Sequence, residues 1–406
     1  MNDTTGGVRA RGNWVALVAV VLISANLRPG TMVGPVLAEL LRDLGQNEAW
    51  GGLLTAMPGI CFAAFGALSV AFATRVGLAP ALFWGMVATA VGLAVRSWTS
   101  DAWVFLALTA LALGGMALGN VLLPAFIKRR FPNRVPLLMA LYGSFLAVGA
   151  TLGSMLAVPL AEVLPGGWRG SLAVWGPVAA LAAVPILVVI VREGSGRLGA
   201  HQHERGPSLL RSRRAVALGI FFGVQSMHAY TQFGWTAQMF RDGGVDRDAA
   251  GLLVSLLASL GIVTGLVMPM VVERVHDLRA VVAVLVALLV AGYLGILYAP
   301  TVASWLWAVC LGLSGAAFPM ALALITARTR DHHLTARLSG FCQTVGYALA
   351  ACGPLLVGVL RTHSSGWTVP LWVLIGSSAV MLVAGLIACT PGYVDDDLAA
   401  SEVKAG

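Results

Sequence analysis

Long apolar runs separated by short polar breaks cover almost the whole chain. They lie near 14–41, 49–73, 79–97, 102–127, 136–160 and 168–191, and resume near 215–240, 248–272, 279–298, 302–327, 335–360 and 367–389. A helix that crosses a hydrocarbon core about 30 Å thick needs about 20 such residues. Each run meets that length, so the pattern predicts twelve membrane-spanning helices. The breaks are marked by residues such as Arg96-Ser97 and Asp242-Gly243-Gly244. The first run is too long for the core of a signal peptide and no small-residue cleavage site follows it, so it reads as a retained span.

Composition narrows the class. Of 406 residues, 58% are hydrophobic and 11% charged, with a mean hydropathy of +0.85. A soluble domain carries about 25% charge, so a water-soluble fold is excluded. The 48 glycines show no fixed period, and the apolar content excludes a disordered chain. Cys61, Cys310, Cys342, Cys352 and Cys389 lie in apolar segments without paired spacing, which excludes a disulfide framework or a zinc site. The net charge of +8 raises the question of nucleic acid, but its distribution answers it. With the N-terminus inside, 19 basic residues fall in inner segments and 6 in outer loops, leaving Arg28 within a span. That is a positive-inside pattern, with both termini cytoplasmic in a bacterial inner membrane. No nucleic-acid partner is expected.

The chain also repeats itself. Arg42-Asp43-Leu44-Gly45 and Gly52-Leu53-Leu54 recur 199 residues later as Arg241-Asp242-Gly243-Gly244 and Gly251-Leu252-Leu253. Arg75-Val76 recurs as Arg274-Val275, and Gly167-Trp168 as Gly366-Trp367. The order holds across a whole half. This predicts an all-α integral membrane protein of two pseudo-symmetric six-helix bundles, over 1–191 and 215–392, an arrangement found in transporters built from parallel repeats. A polar linker over 192–214 joins them, and a cytoplasmic tail follows over 393–406. The acidic run Asp395-Asp396-Asp397 in that tail reads as a solvated end.

Charge inside a span is the informative feature, because it costs about 2.5–3.5 kcal/mol to insert. The acidic residues all lie at span ends, in loops or in tails. Arg28 stands near the middle of the first run, too far for its side chain to reach an interface, and arginine does not shed its proton. It therefore faces a polar cavity and an anion, or packs against backbone carbonyls. Pro29 next to it cannot donate to the carbonyl of Ala25, which invites a kink. Asn26 shares this segment. Its repeat counterpart is Gln225, which shares a helical face with His228 and Gln232. His228 reads equally as a proton carrier or as a hydrogen-bonded structural residue. Asn120, Tyr142, and the i, i+4 pair Gln343 and Tyr347 complete the candidate substrate-binding set, each with an interhelical hydrogen bond as its alternative role. Gly149 and the glycines of the eleventh span read as close-packing positions. No catalytic or metal motif is present in the sequence, so neither enzyme activity nor a cofactor is expected.

Three segments resemble the major facilitator superfamily, and within it the cyanate permease and nitroimidazole transporter family. They are Asn26-Leu27-Arg28-Pro29 with Gly34-Pro35; the stretch 127–134 leading into Leu141-Tyr142-Gly143; and the stretch 338–343 with Gly346-Tyr347 and Gly353-Pro354. The resemblance covers essentially the whole chain. It implies a proton- or gradient-coupled carrier that works by alternating access, with its cavity between the bundles. It also implies gating residues at Arg75 and at Glu273-Arg274. The first of these loops departs from the family, since Thr74 precedes Arg75 where an acid is usual, whereas the second keeps Glu273.

The expected function is therefore secondary active transport of a small anion or polar heterocycle, because a cavity with one fixed positive charge and no carboxylate attracts electron-rich ligands. The partners expected are that substrate, the lipid bilayer and protons as coupling ion. Two alternatives remain open at this point: efflux of neutral antibiotic-like compounds, and a transporter-shaped membrane sensor that binds without flux.

Overall fold

The computed structural model describes residues 4–28, 33–193, 208–275, 277–330, 332–364 and 366–403, and among them it contains helices and no strand. Pro29, Gly30 and most of the polar linker, 194–207, lie outside the described residues. The helices in order are α1 (Thr4–Asn26), α2 (Leu37–Asp43), α3 (Glu48–Val76), α4 (Leu78–Arg96), α5 (Ala102–Arg130), α6 (Val135–Val163), α7 (Trp168–Ala173) and α8 (Trp175–Glu193). They continue as α9 (Arg213–Asp242), α10 (Arg247–Arg274), α11 (Arg279–Tyr298), α12 (Ser304–Ser314), α13 (Ala317–Ala327), α14 (His332–His363), α15 (Thr368–Ala388) and α16 (Val394–Val403).

Three of the runs expected to be continuous are broken. The first is split between α1 and α2, with a short 3-10 turn at Gly34–Val36. The sixth splits into α7 and α8, and the tenth into α12 and α13 around Gly315 and Ala316. Counting each broken pair once gives twelve spans. Among the described residues, ten spans are long and apolar enough to cross a membrane by length and composition. The other two are α1, whose apolar stretch Trp14–Asn26 stops at the break, and α9. At 30 residues α9 is long enough, but Gln225, Ser226, His228, Thr231, Gln232, Thr236 and Gln238 make it the most polar of the long helices.

The chain groups into two compact units. Unit 1 is Met1–Gly45 with Ala64–Gln202, and unit 2 is Gln46–Ala63 with His203–Gly406, so α3 contributes to both. In unit 1, α4 packs on α5 and α8, and α1 on α5, α6 and α8. Side chains on α4 and α5 leave room for close backbone approach: a Cβ on Gly92 or Gly115 would collide with the facing helix. Thr89 Oγ1 donates across this seam to the Ala112 carbonyl at 3.2 Å. Gly149 of α6 rests directly on the carbonyl of Ala25, as its close-packing role requires. In unit 2, α9 packs on α10, α13, α14 and α15, and α11 on α12 and α15. Gly346 and Gly353 of α14 abut Phe222 and Met227 of α9.

The repeat is visible in the helix ends. Gly45 and Gly244, 199 residues apart, both take positive φ, +63° and +92°, where a side chain would be strained. Asn47 Oδ1 accepts from the Trp50 N–H at 3.0 Å to start α3. Its counterpart Asp246 accepts from the Asp248 N–H at 2.9 Å to start α10. Both are N-caps.

Two expectations about charge are corrected. Arg96 is not an outer-loop residue: it ends α4 with no exposed surface. Its Nη1 donates to Thr109 Oγ1 at 3.2 Å and its guanidinium lies 5.4 Å from the Phe105 ring centroid. The acidic tail is not a solvated end either. Asp397 pairs with Arg214 and accepts from Ser212 Oγ at 2.8 Å. Asp396 pairs with Arg330 at 2.5 Å, and Asp395 accepts the Arg330 backbone N–H at 3.1 Å. Val394 and Leu398 are buried beside them, so α16 docks through both charge and apolar contact.

Candidate functional site

Unit 1 gathers four of the candidate residues around the break after α1. Asn26, the last residue of that helix, is buried and its Nδ2 donates back to the Leu22 carbonyl at 2.8 Å. Leu27 turns onto Gly119 of α5, which has no side chain to obstruct it. Arg28 follows, half-buried, at the point where the helix has ended. Its charge acts on the phenol of Tyr142 in α6. Tyr142 Oη in turn donates to Asn120 Oδ1 at 2.9 Å. Asn120 Nδ2 is buried with no partner. Exchanging the amide oxygen and nitrogen would only move the orphan to the oxygen, because one end of the amide is unused either way. As placed, the cluster holds a fixed cation and an unused N–H donor, a combination suited to an anion or an electron-rich ring substituent.

The candidates of unit 2 are differently arranged. His228 is fully buried on α9 and uses both ring nitrogens, Nδ1 with Tyr293 Oη of α11 at 3.1 Å and Nε2 with Ser377 Oγ of α15 at 3.3 Å. Gln232 Nε2 reaches the same Tyr293 oxygen at 3.5 Å. Gln225 Nε2 donates to the Phe222 carbonyl at 3.0 Å and to Ser226 Oγ at 2.6 Å. Gln343 Nε2 turns back along α14 to Ser339 Oγ at 2.9 Å. Tyr347 stands edge-on to both Phe62 and Phe222, each with centroids 5.7 Å apart.

Arg75 closes α3, and Glu273 with Arg274 closes α10; all three are exposed. Among the described residues they make no side-chain hydrogen bond or ion pair.

Two features were not singled out from the sequence. One is a pair of clamps at matching places in the repeat. In unit 1, Arg169 donates to Asp43 Oδ2 from Nε at 3.1 Å and Nη2 at 2.9 Å, reaches the carbonyls of Ser97 and Thr99, and lies 4.5 Å over the Trp168 ring. In unit 2, Arg361 donates to Asp242 Oδ2 at 2.8 Å, Trp367 Nε1 donates to the same oxygen at 2.9 Å, and the guanidinium lies 4.9 Å over the Trp367 ring. The 199-residue offset of Asp43 and Trp168 was the signal that could have found them. The other is Glu48 in unit 2, whose Oε1 accepts from Gln238 Nε2 at 3.1 Å; nothing local marks it.

The chain matches the Major Facilitator Superfamily over residues 19–309. It is 34% identical over 388 residues to the 2-nitroimidazole transporter of Escherichia coli (strain K12), covering 93% of this chain and 96% of the relative. It is 29% identical over 354 residues to the cyanate transport protein CynX of the same organism, covering 86% and 91%. Its fold matches the crystal structure of a bacterial homolog of the human lysosomal transporter Spinster, in an inward-facing and occupied conformation. That match has a TM-score of 0.72 at 12% identity and covers 96% of this chain and 97% of the other. Twelve spans, an internal repeat and a family match over most of the length agree: this chain belongs to the major facilitator superfamily, and is a multi-pass membrane transporter and not an enzyme.

Proposed function

We propose that the protein carries a small anion or polar heterocycle, cyanate- or nitroimidazole-like, across the cytoplasmic membrane by alternating access. In this reading it is a secondary active transporter with both termini in the cytoplasm, consistent with the basic residues concentrated on that side. The observation that carries the reading is the unit 1 cluster, in which Arg28 acts on Tyr142, Tyr142 holds Asn120, and Asn120 Nδ2 is left without an acceptor. A buried donor without a partner costs about 1–3 kcal/mol, and a ligand with lone pairs relieves it. The two relatives of nearly full length act on a heteroaromatic nitro compound and a small anion by their names, and both compounds offer lone pairs to a donor. The reading rests on unit 1. Hydrogen bonds on both nitrogens of His228 favour a packing role for that residue.

The test is uptake of labelled cyanate and labelled 2-nitroimidazole into sealed proteoliposomes, with and without an imposed pH gradient. The control is Arg28→Gln. Saturable flux is expected for at least one compound. The variant should lose about tenfold to a hundredfold of it, the equivalent of one charge-assisted hydrogen bond at about 1.5–3 kcal/mol. Absence of flux for both compounds in the wild type would sink the substrate reading, and binding without flux would point to a sensor.

A further inference from the structure

Unit 2 holds a pair of side chains whose polar atoms do not balance. Gln238 on α9 is 7% exposed and Glu48 opens α3. Gln238 Nε2 donates to Glu48 Oε1 at 3.1 Å. The two remaining atoms, Glu48 Oε2 and Gln238 Oε1, are both buried and both without a partner. Each is an acceptor, so neither can satisfy the other. Flipping the Gln238 amide gives no relief, since it would set its oxygen against Glu48 Oε1 and strand its N–H groups instead. An ionised carboxylate only accepts, whereas a carboxylic acid adds one O–H donor. A proton is the smallest addition that supplies what the pair lacks.

We propose that Glu48 is a proton-binding site. A proton on Glu48 Oε2, donated to Gln238 Oε1, closes a cyclic acid–amide pair in which the four polar atoms are all used. Water on one side of the membrane supplies the proton as hydronium, and releasing it restores the carboxylate. That this proton drives transport rests on the carrier reading above; the site itself does not. Among the described residues Glu48 makes no ion pair. Along the two helices that it touches, the charged or titratable groups toward the same end are Arg241 and Asp242 on α9 and Arg361 and His363 on α14. Of these, Asp242 is committed to Arg361 and Trp367. Glu48 is itself wedged on α14, because its backbone carbonyl faces the Cα of Gly358.

The first readout needs no substrate. Infrared difference spectra of the purified full-length protein, recorded as pH is changed, should contain the carbonyl band of a protonated carboxylic acid. Glu48→Gln should remove that band. Gln238→Leu, which takes away the acceptor, should shift it. A band that neither variant alters overturns the proposal. Glu48→Gln also mimics the acid form, so its melting temperature should equal or exceed that of the wild type; a lower value overturns the cyclic pair. The second readout is transport of labelled cyanate. Glu48→Gln should lose accumulation driven by a pH gradient yet keep exchange at equal pH, a split that misfolding does not produce. Accumulation that follows Na+ and ignores pH would assign the pair to a metal cation and overturn the proton. If the wild type moves neither cyanate nor 2-nitroimidazole, the substrate reading falls and the infrared result still decides Glu48.

Discussion

The first helix of each half sits at the same place in the repeat, and the two are built differently. In unit 1, α1 ends at Asn26, and Arg28 beyond that end is half-buried. In unit 2, α9 contains no proline and runs unbroken past Gln225, the counterpart of Asn26. There Gln225 bonds to Phe222 and Ser226, and His228 to Tyr293 and Ser377, all within the unit. The ends of these segments are alike: a left-handed glycine, an asparagine or aspartate cap, and an aspartate held by an arginine stacked on a tryptophan. The arginines, though, come from different elements, Arg169 from α7 and Arg361 from α14. The repeat thus fixes helix ends, where backbone groups must be capped whatever the function. It diverges mid-helix, where the first run of unit 1 ends just before Arg28 and that of unit 2 continues through Gln225 and His228, both hydrogen-bonded within the unit.

The largest effect that tests this comparison is at the clamps. Asp242→Ala leaves Trp367 Nε1 and the Arg361 guanidinium without their shared acceptor, and should lower stability by about 2 kcal/mol in thermal melts. Asp43→Ala should cost about 1 kcal/mol, because Asp43 is more exposed, at 48% against 35%, and Arg169 keeps the carbonyls of Ser97 and Thr99. Equal losses would mean that the shared tryptophan bond in unit 2 adds nothing. Next in size is Tyr142→Phe, which strands Asn120 Oδ1 as well as Nδ2. It should raise the KM for cyanate about tenfold, the equivalent of about 1.4 kcal/mol. Smallest is His228→Phe. Tyr293 retains Gln232 and Ser377 retains the Leu374 carbonyl, so the cost should be about 1 kcal/mol of stability, with the KM unchanged. A changed KM for His228→Phe would erase the contrast between the halves.

Much of this molecule was legible along the chain. Run lengths determined the twelve spans, because hydrocarbon thickness sets the length of a helix that crosses it. Spacing determined the repeat and its paired ends. A lone arginine beside a proline, far from any interface, determined where to look for a site, since its charge cannot be shed. The partners were not legible. Leu54 and Leu68 read alike in the same helix, yet one is 2% and the other 59% exposed, because in a bilayer the lipid-facing and helix-facing surfaces are equally apolar. Without that distinction no sequence pattern gives the faces that meet. So the burial of Arg96 against Thr109, 13 residues away, the pairing of Glu48 with Gln238 across 190 residues, and the docking of the acidic tail through Arg214 and Asp397, 183 residues apart, were decided by tertiary packing alone. A polar group removed from water takes whichever partner the neighbouring helix presents, and only the fold determines which helix that is.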